Sequence, residues 1–502
     1  MRSLLKTLGW MTLVLTAVLV TRTLLAPSIQ LEVTPVDVLP LDQHQIAGNL
    51  SAAVQLKTLS EQSSLDDPEP SFSAFFELHD LLRVTYPRVH TRLSAQTLGG
   101  ASLLYRWQGS DPSLKPALFL AHQDVVPADE ATLKQWTFPP FSGAIEEGFI
   151  WGRGTLDFKF GVIGWLEACE HLLASGFKPQ RTLYFAFGHD EEIMGKQGAQ
   201  TIAHHFKQQG VHFAMVLDEG LPITHDIMPG LPAPLALIAL AEKGYVTLEL
   251  SVEAEGGHSS MPPPHTAVGV LAKAITRIED NPMPAHTSPP TEALFAAVGP
   301  ELPFAKRLVF ANLWLFKPLL LAQLSRQPGT NALVRSTQAA TMVEGSMKEN
   351  VLPTRARGLV NFRILPGDTQ ESIVAHVREV VNNPEVRVRA FKGQNASPIS
   401  CYQCAPYKTI ARTIQQIFPN TLVAPSITVG ATDARHYAQV ADQVYRFAPQ
   451  HIGPDDRARF HGLNERVGVD NLADGVRFYR QLLLNVDTMG LKPPDPASPA
   501  SP

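Results

Sequence analysis

Several stretches of the chain end in side chains suited to divalent metals. The apolar run Ala117–Leu120 leads into His122 and Asp124, Leu183–Phe187 into Asp190, Glu191 and Glu192, and Phe213–Leu217 into Asp218 and Glu219. Asp157 lies in the Gly-rich stretch "WGRGTLDFK", and His461 lies far downstream in "RFHGLNE". A single His or Asp at a strand end means little. Five separate segments that each deliver imidazole or carboxylate mean more. Neutral His and ionised carboxylates suit zinc, and shared carboxylates suit paired cations roughly 3.5–4 Å apart. "GHDEE", Gly188–Glu192, poses the question most sharply. Adjacent acids at the end of a buried strand repel one another and lose hydration. Two divalent cations would supply the positive charge that keeps them ionised.

Such residues need a scaffold that brings them to one place. Strand-like runs alternate with helical patterns, which predicts an α/β fold. "ALFLAH", "TLYFAFGHDEE" and "FAMVLDEG" read as buried strands, and Lys159–Gly176 reads as a helix. In open α/β sheets, ligands bind beyond the carboxyl ends of the strands, and that is where the His and acidic residues fall. A second region begins near Lys243. "YVTLELSVEAEGGHSS" alternates like a strand with one solvated face. A helix from Thr266, the strand "ARGLVNFRILPG", the helix "TQESIVAHVREVVNN" and the strand "EVRVRAF" follow. This predicts a smaller sheet with helices on one side. The expected organisation is a catalytic domain at 45–242 and 392–490, with a domain inserted at 243–391.

The 502 residues are 44% apolar and 18% charged, enough for a large core. A net charge of -5 and the lack of any Lys/Arg-rich run argue against nucleic-acid binding. Residues 1–26 combine Arg2 and Lys6 with an apolar run from Leu8, the pattern of a signal-anchor or a signal peptide. That predicts an N-terminal segment in contact with a membrane, with the rest of the chain exported or at a membrane face. A linker at 27–44 and a disordered Pro/Ser-rich tail at 491–502 are also expected. Of the three cysteines, Cys169 reads as helix core. Cys401 and Cys404 form a C-x-x-C without the second pair a structural zinc site needs. A local disulfide and two ordinary loop thiols are both open readings.

"AHQDVVP", "WGRGTLDFK", "GHDEE", "LDEG", "GGHSS" and "RFHGLNE", in this order, resemble the co-catalytic zinc peptidases that include carboxypeptidase S, aminoacylase and glutamate carboxypeptidase. "WTFPPFSG", "ANLWLFKP" and "SMKENVLPTRARGLVNFRILPG" are most similar to the N-fatty-acyl-amino-acid synthase/hydrolase branch. The resemblance spans residues 45–490. It implies a mixed sheet flanked by helices plus an inserted α+β lid of the dimerisation type, and two Zn2+ per chain, with cobalt or manganese as substitutes. Asp157 would bridge the metals, His122 and Asp218 would complete one site, and Glu192 and His461 the other. Glu191 would be the general base and Asp124 would orient His122. His258 would stabilise the oxyanion, in some relatives across a dimer interface. Asn331, Arg363, Gly430 and Thr432 would contact substrate. Adjacent side chains on an extended segment point to opposite sides, which would separate Glu191 from Glu192. Asp190 and Glu219 are expected to be solvated loop acids.

Two departures stand out. Relatives often carry Asp-Asp-Lys where this chain has Asp157-Phe158-Lys159, and Ala431 follows Gly430 where many have Gly-Gly. The expected activity is cleavage, and by reversal formation, of the amide bond of an N-acyl amino acid. A carboxypeptidase trimming short peptides is the alternative, and a non-catalytic metal-binding protein on a hydrolase scaffold is an alternative of another class. A serine or cysteine hydrolase is disfavoured, since no G-x-S-x-G elbow occurs. The apolar stretch "LVFANLWLFKPLLLAQL", Leu308–Leu324, reads as an acyl pocket, a membrane-facing surface, lid packing or a dimer contact.

Overall fold

Every residue of the strand Ala117–His122 is buried, as is every residue of Leu183–Gly188 and Met215–Asp218. Continuous apolar runs of this kind belong to parallel strands covered on both faces. A computed structural model describing residues 2–60, 71–225, 230–231 and 233–490 has that arrangement. The expected tail at 491–502 lies outside the described residues.

The chain divides into two compact units. The larger comprises Gln30–Ile238, Ser400–Val423 and the chain from Thr432 onward. Its sheet places Leu183–Gly188 beside Ala117–His122, then Met215–Asp218 and Val444–Arg446, all parallel. Ser102–Trp107 and Ser94–Leu98 extend the other edge antiparallel. The sheet is therefore mixed. Alternate residues serve opposite faces. Leu118 and Leu120 pack with Ile202 and Phe206 of the helix Ala199–Gln208. Phe119 turns the other way, with its ring 4.6 Å from that of Trp165 on the helix Lys159–Ala174. Trp165 in turn lies 4.0 Å from Tyr479 of the helix Val469–Asp487. Helices thus cover both faces, and register pairs His122 with Gly188 at the carboxyl edge.

The smaller unit comprises the N-terminal stretch to Ile29, Ala239–Ile399 and Ala424–Ala431. Gly244–Glu253 is central in an antiparallel sheet, flanked by Arg355–Ile364 and Arg387–Gln394, with Thr337–Glu344 beyond. Val246, Leu248, Leu250 and Val252 face Leu271 and Ile278 of the helix Ala267–Asp280 and Val377 of the helix Gln370–Val381. Glu249 points to the opposite face and pairs with Arg355, Arg357 and Arg389. This is an α+β layer with helices on one side. Residues 289–324 add three helices, Pro289–Val298, Phe304–Ala311 and Leu313–Leu324.

Candidate active site

The parallel strands of the larger unit deliver their C-terminal residues to one edge. His122 ends its strand, and Glu191 and Glu192 follow Gly188 on a 3-10 turn, Glu191–Ile193. Glu219 comes one residue after the strand Met215–Asp218. Two loops complete the set. Asp157 precedes the helix at Lys159, on a turn where Gly154 has φ +90 and a Cβ would lie 2.7 Å from Val125. His461 also has positive φ, +57. A non-Gly residue held there costs on the order of 1–3 kcal/mol.

Asp157 sits between the two imidazoles. Its Oδ1 is 3.0 Å from His122 Nε2, and its Oδ2 is 3.0 Å from His461 Nε2. Glu219 Oε1 lies 3.4 Å from His122 Nε2, and Glu192 Oε1 lies 3.2 Å from His461 Nε2. Two overlapping groups result: His122 with Asp157 and Glu219, and His461 with Asp157 and Glu192. Glu191 stands with His122 and Glu192 in a third. Asp124 holds this arrangement from behind. Its carboxylate accepts the Glu191 N–H at 3.2 Å and the Glu192 N–H at 3.0 Å. Its carbonyl is 2.9 Å from His122 Nδ1, so a neutral ring donates there and turns its Nε2 lone pair toward Asp157 and Glu219.

The electrostatics are those of surplus carboxylate. Burial raises Glu219 to about 8, with His122 opposing and Asp157 adding. Burial also drives Glu191 well above the ordinary carboxylate range, against the pull of His122 and with repulsion from Glu219 and Asp433. Burial alone would lower His122, yet Glu219, Asp124 and Asp157 hold it well above its usual value. The carboxylates of Asp157 and Glu192 beside it lift His461 to about 10. Glu192 Oε1 is buried and makes no hydrogen bond of good geometry despite the nearby His461. An imidazole-and-carboxylate donor set with an orphaned oxygen fits divalent cations.

The sequence profile of peptidase family M20/M25/M40 matches residues 118–485. The chain belongs to this family. It is an amide hydrolase of the metallopeptidase type. It is 41% identical over 452 residues to a probable carboxypeptidase S-like 2 of Dictyostelium discoideum, covering 89% of this chain and 86% of the relative. It is 41% identical over 457 residues to an N-fatty-acyl-amino acid synthase/hydrolase of Danio rerio, covering 90% and 88%. Among solved structures, an M20 family metallo-carboxypeptidase of Sulfolobus solfataricus superposes with a TM-score of 0.63 at 16% identity, over 90% of this chain and 100% of that one. The last likeness concerns the M20 fold.

The M20 scaffold departs from the sequence expectations at particular residues. Asp218, expected as a metal ligand, ends its strand with Oδ2 accepting the Ala434 N–H at 2.7 Å and Oδ1 the Glu219 N–H at 2.9 Å. Glu219, expected in solvent, occupies the place beside His122. The reason is local, since Asp218 is the last strand residue and Glu219 begins the turn beyond it. Asp190 is not a solvated acid either. It is 4% exposed and accepts the N–H groups of Gln197 at 2.7 Å and Gly198 at 2.8 Å. Glu191 and Glu192 lie on a 3-10 turn rather than an extended segment, so strand alternation is not what separates them. Phe158, where relatives often have a second acid, is buried with its ring 6.2 Å from that of His122.

His258, Asn331, Arg363 and Gly430 belong to the smaller unit and Thr432 to the larger. His258 is exposed on a two-residue strand, and its Nδ1 accepts from Ser260 N–H at 3.1 Å. Asn331 Oδ1 accepts from Arg335 at 2.9 Å. Arg363 is exposed opposite Tyr245 and Thr337 and has no ion pair among the described residues. Gly430 is exposed, and Thr432 is buried at the start of the turn Asp433–Gln439.

Two residues that the sequence reading passed over complete the site's support. Glu465 is fully buried and pairs with Arg153 at 2.6 Å. Its Oε1 accepts the N–H groups of Gly154, Leu156 and Asp157. Arg153 also donates to the His461 carbonyl at 3.0 Å. The available signal was Glu465 itself, the last letter of "RFHGLNE".

Proposed function

We propose that the chain is a two-zinc amidohydrolase acting on N-fatty-acyl amino acids. The observation that carries this is Asp157, whose two oxygens each face one histidine of a two-lobed donor set. His122, Asp157 and Glu219 would hold one cation, and His461, Asp157 and Glu192 the other, with cobalt or manganese as workable substitutes. Bound there, a cation pair polarises the scissile carbonyl and lowers the pKa of water.

The chain's own residues do the rest. Glu191 accepts a proton from the attacking water as the water oxygen bonds to the carbonyl carbon. It returns a proton to the amide nitrogen as the C–N bond breaks. Burial raises the Glu191 carboxyl, which strengthens it as a proton acceptor. Asp124 keeps Glu191 and Glu192 in register through their amides. Run in reverse, the same path joins a fatty acid to an amino acid with release of water. His258 would meet the developing oxyanion. Asn331, Gly430 and Thr432 would line the substrate, and the Arg363 guanidinium would take its free carboxylate.

The acyl side rests on the Danio rerio relative, whose name states that substrate class. The carboxypeptidase S-like relative of equal identity supports a second reading, trimming of short peptides. The helix Arg2–Leu25 is long and apolar enough to cross a membrane. It would act as a signal-anchor or signal peptide that exports the rest, and the smaller unit would serve as lid and dimer contact.

The test is metal analysis and activity on one preparation with an N-acyl amino acid substrate. The reading expects about two zinc ions per chain, loss of activity on chelation and recovery on zinc addition. Activity untouched by a chelator would overturn it.

A further inference from the structure

The helix Arg2–Leu25 exposes apolar side chains along most of its length, including Leu4, Leu8, Met11 and Val14. Its last turns are different. Asn312 Nδ2 donates to the Leu19 carbonyl at 3.2 Å and lies 3.3 Å from Thr23 Oγ1, and Thr23 is buried. Arg22 donates to the Ala311 carbonyl at 3.4 Å. All of these lie in the smaller unit. Asn312 is the elbow between Phe304–Ala311 and Leu313–Leu324, a helix pair that is apolar enough taken together to span a membrane, with Lys306, Arg307 and Lys317 as its charges, and is bent by 111°. Beyond the elbow, Trp314 is 58% exposed, Leu315 40% and Leu319 65%.

Length decides what these side chains face. From Leu4 to Val18 the freely exposed part of the first helix rises about 22 Å at ~1.5 Å per residue. A hydrocarbon core is ~30 Å thick. A crossing helix must therefore carry Leu19–Leu25 into the bilayer as well, and the elbow bonded to Leu19 and Thr23 goes with it. Arg22 in the last turn has a stem long enough to reach the headgroups, and Leu24 and Leu25, 65% and 74% exposed, carry apolar surface on to the helix end. Tryptophan at the boundary and apolar residues below it are the pattern of a helix lying in the interface.

We infer that the bent pair Phe304–Leu324 is embedded in the leaflet entered by the first helix, with Trp314, Leu315 and Leu319 against lipid at the headgroup–acyl boundary. This rests on reading the first helix as a membrane anchor. The test uses the full chain with Cys401 and Cys404 replaced by Ser. A fluorophore is attached at Met11→Cys or at Leu319→Cys. Each protein is placed in phosphatidylcholine vesicles whose acyl chains carry bromine near the headgroup. The inference expects loss of fluorescence at both positions relative to unbrominated vesicles. Loss at position 11 without loss at 319 would overturn the inference and leave the anchor intact, as would a second copy covering the face. No loss at either position would remove the anchor reading and the inference together.

Discussion

Glu465 and Arg153 form a buried pair that ties the loop carrying Asp157 to the loop carrying His461. One carboxylate oxygen takes the Arg153 guanidinium at 2.6 Å, and the other takes three amides of the loop that carries Asp157. Burial pushes Glu465 up to about 7, against the pull of Arg153 and the Leu156 amide. Glu465→Gln keeps the shape and leaves Arg153 without a counter-charge. Breaking a buried pair costs roughly 3–5 kcal/mol. Loosening a residue that orients metal ligands costs roughly 10–100-fold in metal affinity. Thermal unfolding and zinc titration should show both losses. Unchanged zinc affinity in the folded variant would mean that the pair does not position Asp157.

The adjacent acids of "LDEG" make opposite predictions. Glu219→Ala removes the carboxylate beside His122 and should cost about one zinc per chain. Asp218→Asn keeps an acceptor for the Ala434 amide and should leave zinc content near the parent value. Metal analysis of the two purified variants decides between them. The reverse pattern would restore Asp218 as the ligand.

Glu191→Ala should separate chemistry from metal binding. Loss of a general acid–base group costs typically about 10²–10⁴-fold in rate, and the group pairs built around Asp157 do not include Glu191. Steady-state kinetics should show kcat falling by that order while zinc content stays near parent. A fully active variant would be incompatible with the proton path.

His451 gives the larger unit a pH-dependent stability. Burial, reinforced by His225 at 2.7 Å, lowers its pKa to about 4. An unfolded histidine titrates near 6.5. Between these values the unfolded chain binds the extra proton, so stability rises with pH across the window and is lost as pH falls through it. One pKa unit corresponds to about 1.4 kcal/mol. His451→Gln should flatten this part of the stability–pH curve, read by denaturant unfolding from about pH 4 to 6.5. A curve as steep as the parent's would assign the slope to other groups.

Much of this was legible in residue types and periods. Buried runs such as Ala117–Leu120 fix parallel strands, and a parallel strand fixes the edge where His122, Glu192 and their neighbours must gather. The smaller sheet was legible from the alternation around Glu249. The place of Glu219 beside His122, rather than in solvent, was not, because it depends on where one strand stops. The burial of Asp190 is not legible either, because its partners, the Gln197 and Gly198 amides, are supplied by a turn and leave no composition signal. Docking of Asn312 on Thr23 joins residues 289 apart, a pairing no local pattern encodes.

On the proposed reading, this donor set serves an N-fatty-acyl amino acid. The direct measurement is kcat/KM of the zinc-loaded full chain for N-oleoyl-phenylalanine beside blocked dipeptides. A clear preference for the oleoyl substrate is the predicted result. Comparable or better turnover of the dipeptides would overturn that reading and leave the chain a peptidase.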